Sequence, residues 1–106
     1  MAADDLLANP PEGWAIVDVR RQHAAADSGE TLARARYVAP ETLRLDHPVL
    51  RRTRGLIFFC VHGHEVSQYA TGLSLVAGTP ARYVIGGFEA LRTAGAPLIP
   101  WTEGTE

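Results

Sequence analysis

The chain has 106 residues, 46% of them apolar and 21% charged, with a net charge of −2. Such a balance describes one globular domain over residues 1–106 and excludes disordered, fibrous and strongly basic nucleic-acid-binding classes. All 10 basic residues are arginine, so Schiff-base chemistry at a lysine is excluded, and any anion must be held by guanidinium forks, histidines or backbone N–H groups.

The N-terminal stretch "MAADDLLANPPEG" is interrupted by acidic residues and has no apolar segment of signal-sequence length. The longest apolar run, Leu56 to Val61, is far shorter than the ~20 residues that cross a bilayer. The single cysteine excludes an internal disulfide and fits a reducing compartment. A soluble, cytoplasmic protein with no membrane partner is expected.

In chain order, a short helix is predicted over Asp4–Ala8, then a buried strand over Trp14–Val19, a helix over Arg20–Ala26, a weak strand over Ala35–Val38 and a helix over Glu41–Leu45. Three arginines, Arg51, Arg52 and Arg54, precede a second buried strand over Leu56–Val61 and are read as a solvated face. Val66, Tyr69, Ala70, Leu73, Val76 and Ala77 then recur at helical spacing, with Gly78 as the stop signal. A third strand, Ala81–Ile85, meets the turn signal Gly86-Gly87, followed by a helix over Phe88–Thr93 and a frayed "TEGTE" end. Alternating strands and helices predict an α/β fold: a central, mostly parallel sheet of about five strands with helices on both faces.

Cys60 stands where the central apolar run yields to "VHGHE". In an open parallel sheet, ligands gather beyond the carboxyl ends of the strands, where loops lead into helix N-termini. Successive N–H groups in such a loop can form an anion nest, and a thiolate held there is stabilised and reactive at neutral pH. The alternative is packing, since free cysteine is among the most buried residue types. Polar, glycine-containing sequence directly after Cys60 favours a thiol that faces the loop.

Four segments together resemble the rhodanese-like domains, over about residues 14–98: "IVDVR", "ETLARARYVAPETL", "LIFFCVHGHEVSQYATGLSLVAG" and "YVIGGFEALRTAGAPL". The resemblance implies a rhodanese-like fold and sulfur transfer. Cys60 would take a sulfane sulfur from thiosulfate or a persulfide, carry it as a persulfide and pass it to a thiophilic acceptor. The donor and acceptor are small molecules or proteins, with no nucleic acid involved and no oligomeric state implied. No metal or organic cofactor is required. Val61, His62, Gly63, His64, Glu65 and Val66 would form the substrate cradle, supported by Asp18, Arg20 and Ser67. Gly86 and Gly87 are assigned to a turn so close to the loop that side chains do not fit.

The sequence departs from the family pattern at three places. Thr31 replaces a histidine, Arg34 replaces a glycine, and the loop lacks the arginine or lysine that many members use against the donor anion. Glu65 instead places a negative charge there. The Thr31 and Arg34 positions are mainly structural, whereas the unusual loop also fits a catalytically idle domain used for binding or regulation. A seven-residue loop, Cys60 to Val66, occurs in related phosphatases and arsenate reductases, but Val66 stands where their closing arginine clamps the oxyanion. That oxyanion chemistry ranks below sulfur transfer. Cys60, His62 and His64 carry metal-binding residue types, yet alternate positions in one tight loop seldom converge, and no metal is expected.

Overall fold

A computed structural model describes residues 1–51 and 53–102; Arg52 of the arginine cluster and residues 103–106 of the expected frayed end lie outside them. A short helix α1, Ala3–Ala8, leads into β1, Trp14–Asp18. Helix α2, Gln22–Ser28, is followed by β2, Glu30–Leu32, and β3, Arg36–Tyr37. Strand β4, Gly55–Phe59, precedes the longest helix, α3, Glu65–Val76. The chain then forms β5, Ala81–Tyr83, α4, Gly87–Thr93, and β6, Leu98–Pro100.

The central sheet has the order β3-β1-β4-β5, and every pair in it is parallel. Every residue of β4 is buried, as its unbroken apolar sequence requires of a strand covered on both faces. Side chains alternate across the sheet with period two. Leu56 and Phe58 pack on one face with Val17, Val19, Val38, Leu50 and Ala70 of α3. Ile57 and Phe59 pack on the other with Leu6 of α1 and Phe88 and Leu91 of α4. Helices therefore cover both faces, and the same alternation turns Cys60 toward the α3 side, where it joins the first cluster.

Four strands make the sheet where about five are expected. Beyond β5, Ala2 forms a single parallel bridge with Ile85, and the Ile85 N–H donates to the Met1 carbonyl at 2.8 Å, so the N-terminal segment covers the edge without forming a full strand. β2 and β6 pair separately as an antiparallel ribbon, with Thr31 opposite Ile99. Neither is legible as a strand in the sequence, because three residues are too few for a period and β6 ends in proline.

Other boundaries shift for local reasons. The helix expected from Arg20 begins at Gln22, because the Arg20 amide is bonded back to the Asp18 carboxylate at 3.0 Å. The expected Glu41–Leu45 helix is one 3₁₀ turn, Pro40–Thr42, closed by the Leu43 N–H on the Pro40 carbonyl at 3.1 Å. A second such turn, Pro48–Arg51, lies in a stretch given no element from sequence. Helix α3 ends as anticipated, with Gly78 at a φ of 93°. No helix among the described residues is long and apolar enough to cross a membrane.

Arg34 is left-handed, with a φ of 71°. It is exposed and stands in the turn between β2 and β3, so the conformation suits a glycine although the residue is not one. Arg34→Gly should therefore stabilise the fold by about 0.5 to 1 kcal/mol, the relief of strain exceeding the entropy that glycine adds to the unfolded chain. A rise in the urea midpoint at constant slope checks this; a fall contradicts it.

Candidate active site

Cys60 is the first residue after β4, at the carboxyl end of the central strand, and α3 begins at Glu65. Its side chain is 6% exposed. The sulfur sits between two environments: it touches the apolar cluster on the α3 face, and it also lines a pocket of about 450 Å³. The Sγ–H donates to the Ser67 Oγ at 3.2 Å, and Ser67 is itself fully buried in the first turn of α3. The packing and reactive readings of this cysteine thus describe two sides of one buried group.

The loop is shaped from behind. Gly63 has a φ of 76°, and a Cβ there would lie 2.6 Å from the Val84 carbonyl oxygen and 2.8 Å from the Gly86 nitrogen. The Phe88 N–H donates to the Cys60 carbonyl at 2.7 Å, the Glu89 N–H to the Val61 carbonyl at 3.3 Å and the Gln68 side-chain amide to the Gly63 carbonyl at 3.1 Å. The first turn of α4 and Gln68 thereby hold three loop carbonyls. Among the described residues, no amide of Val61 to Val66 donates to a backbone carbonyl, whereas the Gln68 N–H donates to the His64 carbonyl at 3.2 Å. A short segment with its carbonyls held and its N–H groups unspent is the raw material of an anion nest.

The close approach assigned to Gly86-Gly87 is present, and Gly87 is where it is tightest. Gly87 has a φ of 60°, and a Cβ would overlap the Cys60 carbonyl oxygen and lie 2.7 Å from both the Gly63 nitrogen and the Val61 carbonyl oxygen. Because backbone cannot move aside as a side chain can, Gly87→Ala should cost about 2 to 3 kcal/mol. Chemical denaturation reads this, and a loss below about 0.5 kcal/mol would show the loop free to shift.

One wall of the pocket is the loop itself, with Val61, His62, His64, Glu65 and Val66. The opposite wall comes from Arg21, His23 and Ala24 at the start of α2. These three were not singled out in the sequence. The usable signal was topological: β1 lies beside β4 in a parallel pair, so whatever follows β1 must stand beside whatever follows β4. Val66 is partly buried and packs against the core, while His62, His64 and Glu65 are exposed. The two histidine rings are 6.5 Å apart, and among the described residues no three His, Cys, Asp or Glu side chains gather as a metal cluster.

Asp18 and Arg20 lie behind the pocket as a buried pair, at 0% and 1% exposure. The Arg20 Nη2 donates to Asp18 Oδ2 at 2.7 Å and to the Glu30 carbonyl at 2.7 Å, its Nε to Asp18 Oδ1 at 3.0 Å and its Nη1 to Ser28 Oγ at 2.9 Å. The guanidinium also lies 4.0 Å from the Phe88 ring centroid. Thr31 completes the network by donating to Asp18 Oδ2 at 3.0 Å. Arg20 contributes to the pocket wall, but its charge is fully engaged.

No family model and no curated protein matches the chain by sequence. Solved structures do match it by shape. A rhodanese-related protein from Thermoplasma volcanium superposes with a TM-score of 0.78 at 23% identity, covering 93% of this chain and 95% of its own. A thiosulfate sulfurtransferase from Pseudomonas aeruginosa gives 0.77 at 18% identity over 94% of this chain, which spans only 19% of that longer protein. The chain has the rhodanese-like fold. A yeast protein tyrosine phosphatase of the rhodanese family also matches, at 0.66 and 19% identity, covering 88% of this chain and 83% of its own. The rhodanese-like fold thus accommodates proteins named for different chemistries, so the reaction has to be argued from the loop, not from the topology.

Proposed function

We propose that the chain is a single-domain, cytoplasmic rhodanese-like sulfurtransferase that uses no metal or organic cofactor. The observation that carries the reading is Cys60 at the floor of an open pocket, bonded to Ser67 and followed by a loop whose amides have no backbone partner among the described residues. In the thiol form Sγ–H donates to Ser67; in the thiolate form the Ser67 hydroxyl donates to sulfur, so one buried partner serves both states.

The Cys60 thiolate attacks the outer sulfur of thiosulfate. The S–S bond of the donor breaks, and sulfite leaves with the bonding pair. The enzyme is left with a persulfide whose terminal sulfur is anionic, held by the N–H groups of residues 61 to 66. A thiophilic acceptor, cyanide or a thiolate, then attacks that terminal sulfur and the Cys60 thiolate returns. A glutathione-type or protein persulfide can replace thiosulfate, the leaving group then being a thiolate. Neither nucleic acid nor membrane takes part. His62 and His64 border the entrance, and Asp18 and Arg20 hold the carboxyl end of β1 beside β4, with Arg20 also forming part of the pocket wall.

Phosphoryl or arsenate chemistry receives little support, because Val66 brings no guanidinium to the end of the loop. A second reading, binding without turnover, draws on the slight exposure of the sulfur and on Glu65 beside it. Initial rates separate these possibilities. Thiosulfate with cyanide should yield thiocyanate catalytically, while an aryl phosphate should not be hydrolysed. Phosphate release without thiocyanate would overturn the proposal, and inactivity toward thiosulfate and glutathione persulfide alike would favour binding alone.

A further inference from the structure

The loop that follows Cys60 holds no side chain of fixed positive charge, and Glu65 adds a negative one. A donor such as thiosulfate carries its second charge on the end remote from the sulfur that is transferred. With the outer sulfur at Cys60, that remote sulfonate end must lie farther up the pocket, away from the floor.

Two arginines reach this region, and they are opposites. Arg20 is buried, its charge is paired with Asp18, and each of its three guanidinium nitrogens already donates to Asp18, Ser28 or the Glu30 carbonyl. Arg21 is exposed and lines the pocket wall opposite the loop; its backbone carbonyl accepts from the Ala25 N–H, but its guanidinium makes no hydrogen bond or ion pair among the described residues. Two carboxylates border the same clefts, Glu65 in the Cys60 pocket and Glu41 in the cleft beside it, yet neither lies within ion-pair distance of Arg21. A planar fork with five donors is thus left free at the mouth of a pocket whose floor is a nucleophile.

We propose that Arg21 binds the distal anionic group of the sulfur donor, supplying from the β1–α2 junction the cation that the cysteine loop lacks. This rests on the sulfur-transfer reading and narrows it to donors with a second negative charge beyond the transferred sulfur. The same contact stabilises the departing sulfite, on which the bonding pair and negative charge collect as the S–S bond breaks. A donor with a neutral tail gains nothing from Arg21.

Two measurements test the assignment, and the first does not depend on sulfur transfer. Cys60 is alkylated with iodoacetate, an anion, and with iodoacetamide, its neutral counterpart. In Arg21→Gln the iodoacetate rate should fall about fivefold while the iodoacetamide rate holds, and Arg21→Lys should recover most of the loss. An unchanged ratio of the two rates in Arg21→Gln overturns the proposal, as does an equal fall in both. In steady state, Arg21→Gln should raise KM for thiosulfate about tenfold, more than it lowers kcat, and should affect methanethiosulfonate, which carries one charge fewer, several-fold less. Equal effects on the two donors contradict it. If the unaltered protein transfers no sulfur from any donor, the functional reading fails, while the alkylation ratio still decides whether Arg21 governs anions in this pocket.

Discussion

Cys60→Ser should lower sulfur transfer from thiosulfate to cyanide by at least ~10³-fold. The argument is one of bond chemistry. A serine oxygen at the floor of the pocket keeps the shape and the contact with Ser67, but it is not ionised at neutral pH and forms no persulfide. Because the replacement is nearly isosteric in a site that is 6% exposed, the fold should survive with an unchanged denaturation midpoint. That combination, activity lost and stability kept, separates a nucleophile from a packing residue. Residual activity above a few per cent would place the sulfur-carrying group outside the chain's only cysteine.

Asp18→Ala should destabilise the protein by about 3 to 5 kcal/mol, the largest expected effect of a single substitution outside the reaction itself. Asp18 and Arg20 are both out of contact with solvent, and the carboxylate accepts from the Arg20 amide, from two guanidinium nitrogens and from Thr31. Removing it leaves a guanidinium buried without its counter-charge, over the Phe88 ring, with donors turned toward a void. Urea denaturation at constant slope measures the loss. Replacing Asp18 and Arg20 together by apolar residues should recover part of it, since the greater cost is an unpaired buried charge and not the absence of the pair. A loss below about 1 kcal/mol for the single variant would contradict the network described.

These two effects bear on how far the sequence could be read. The continuous run before Cys60 announces a strand covered on both faces, and all of β4 is buried. The polar, glycine-containing stretch after it announces a loop, and Ser67 lies against the sulfur. Gly86-Gly87 could be assigned to a close approach because nothing but glycine tolerates such contact. In each case the signal is local, carried by residues adjacent in the chain.

What escaped the sequence depends on distant partners or on backbone. The β2–β6 ribbon joins segments of three residues each across most of the chain, with no periodicity to reveal it. Asp18 and Arg20 were expected only as supports of the loop, and the network that holds them draws on a backbone carbonyl of Glu30 and a hydroxyl of Ser28. Thr31, where the family pattern has histidine, gave no hint that its hydroxyl would close the same network. Arg21 and His23 read as the polar start of a helix until strand order set them across from His62 and His64. Gln68 carries no mark in the sequence that sets it apart from the rest of its helix, yet its side chain reaches back to the Gly63 carbonyl.

The central claim is that the Cys60 sulfur carries a second sulfur as a stable intermediate. Intact-mass measurement after incubation with excess thiosulfate, or with glutathione persulfide, and no acceptor tests it most directly. The protein should gain the mass of one sulfur atom, lose it on addition of cyanide, and show no gain in Cys60→Ser. A protein whose mass is unchanged by both donors would contradict the account.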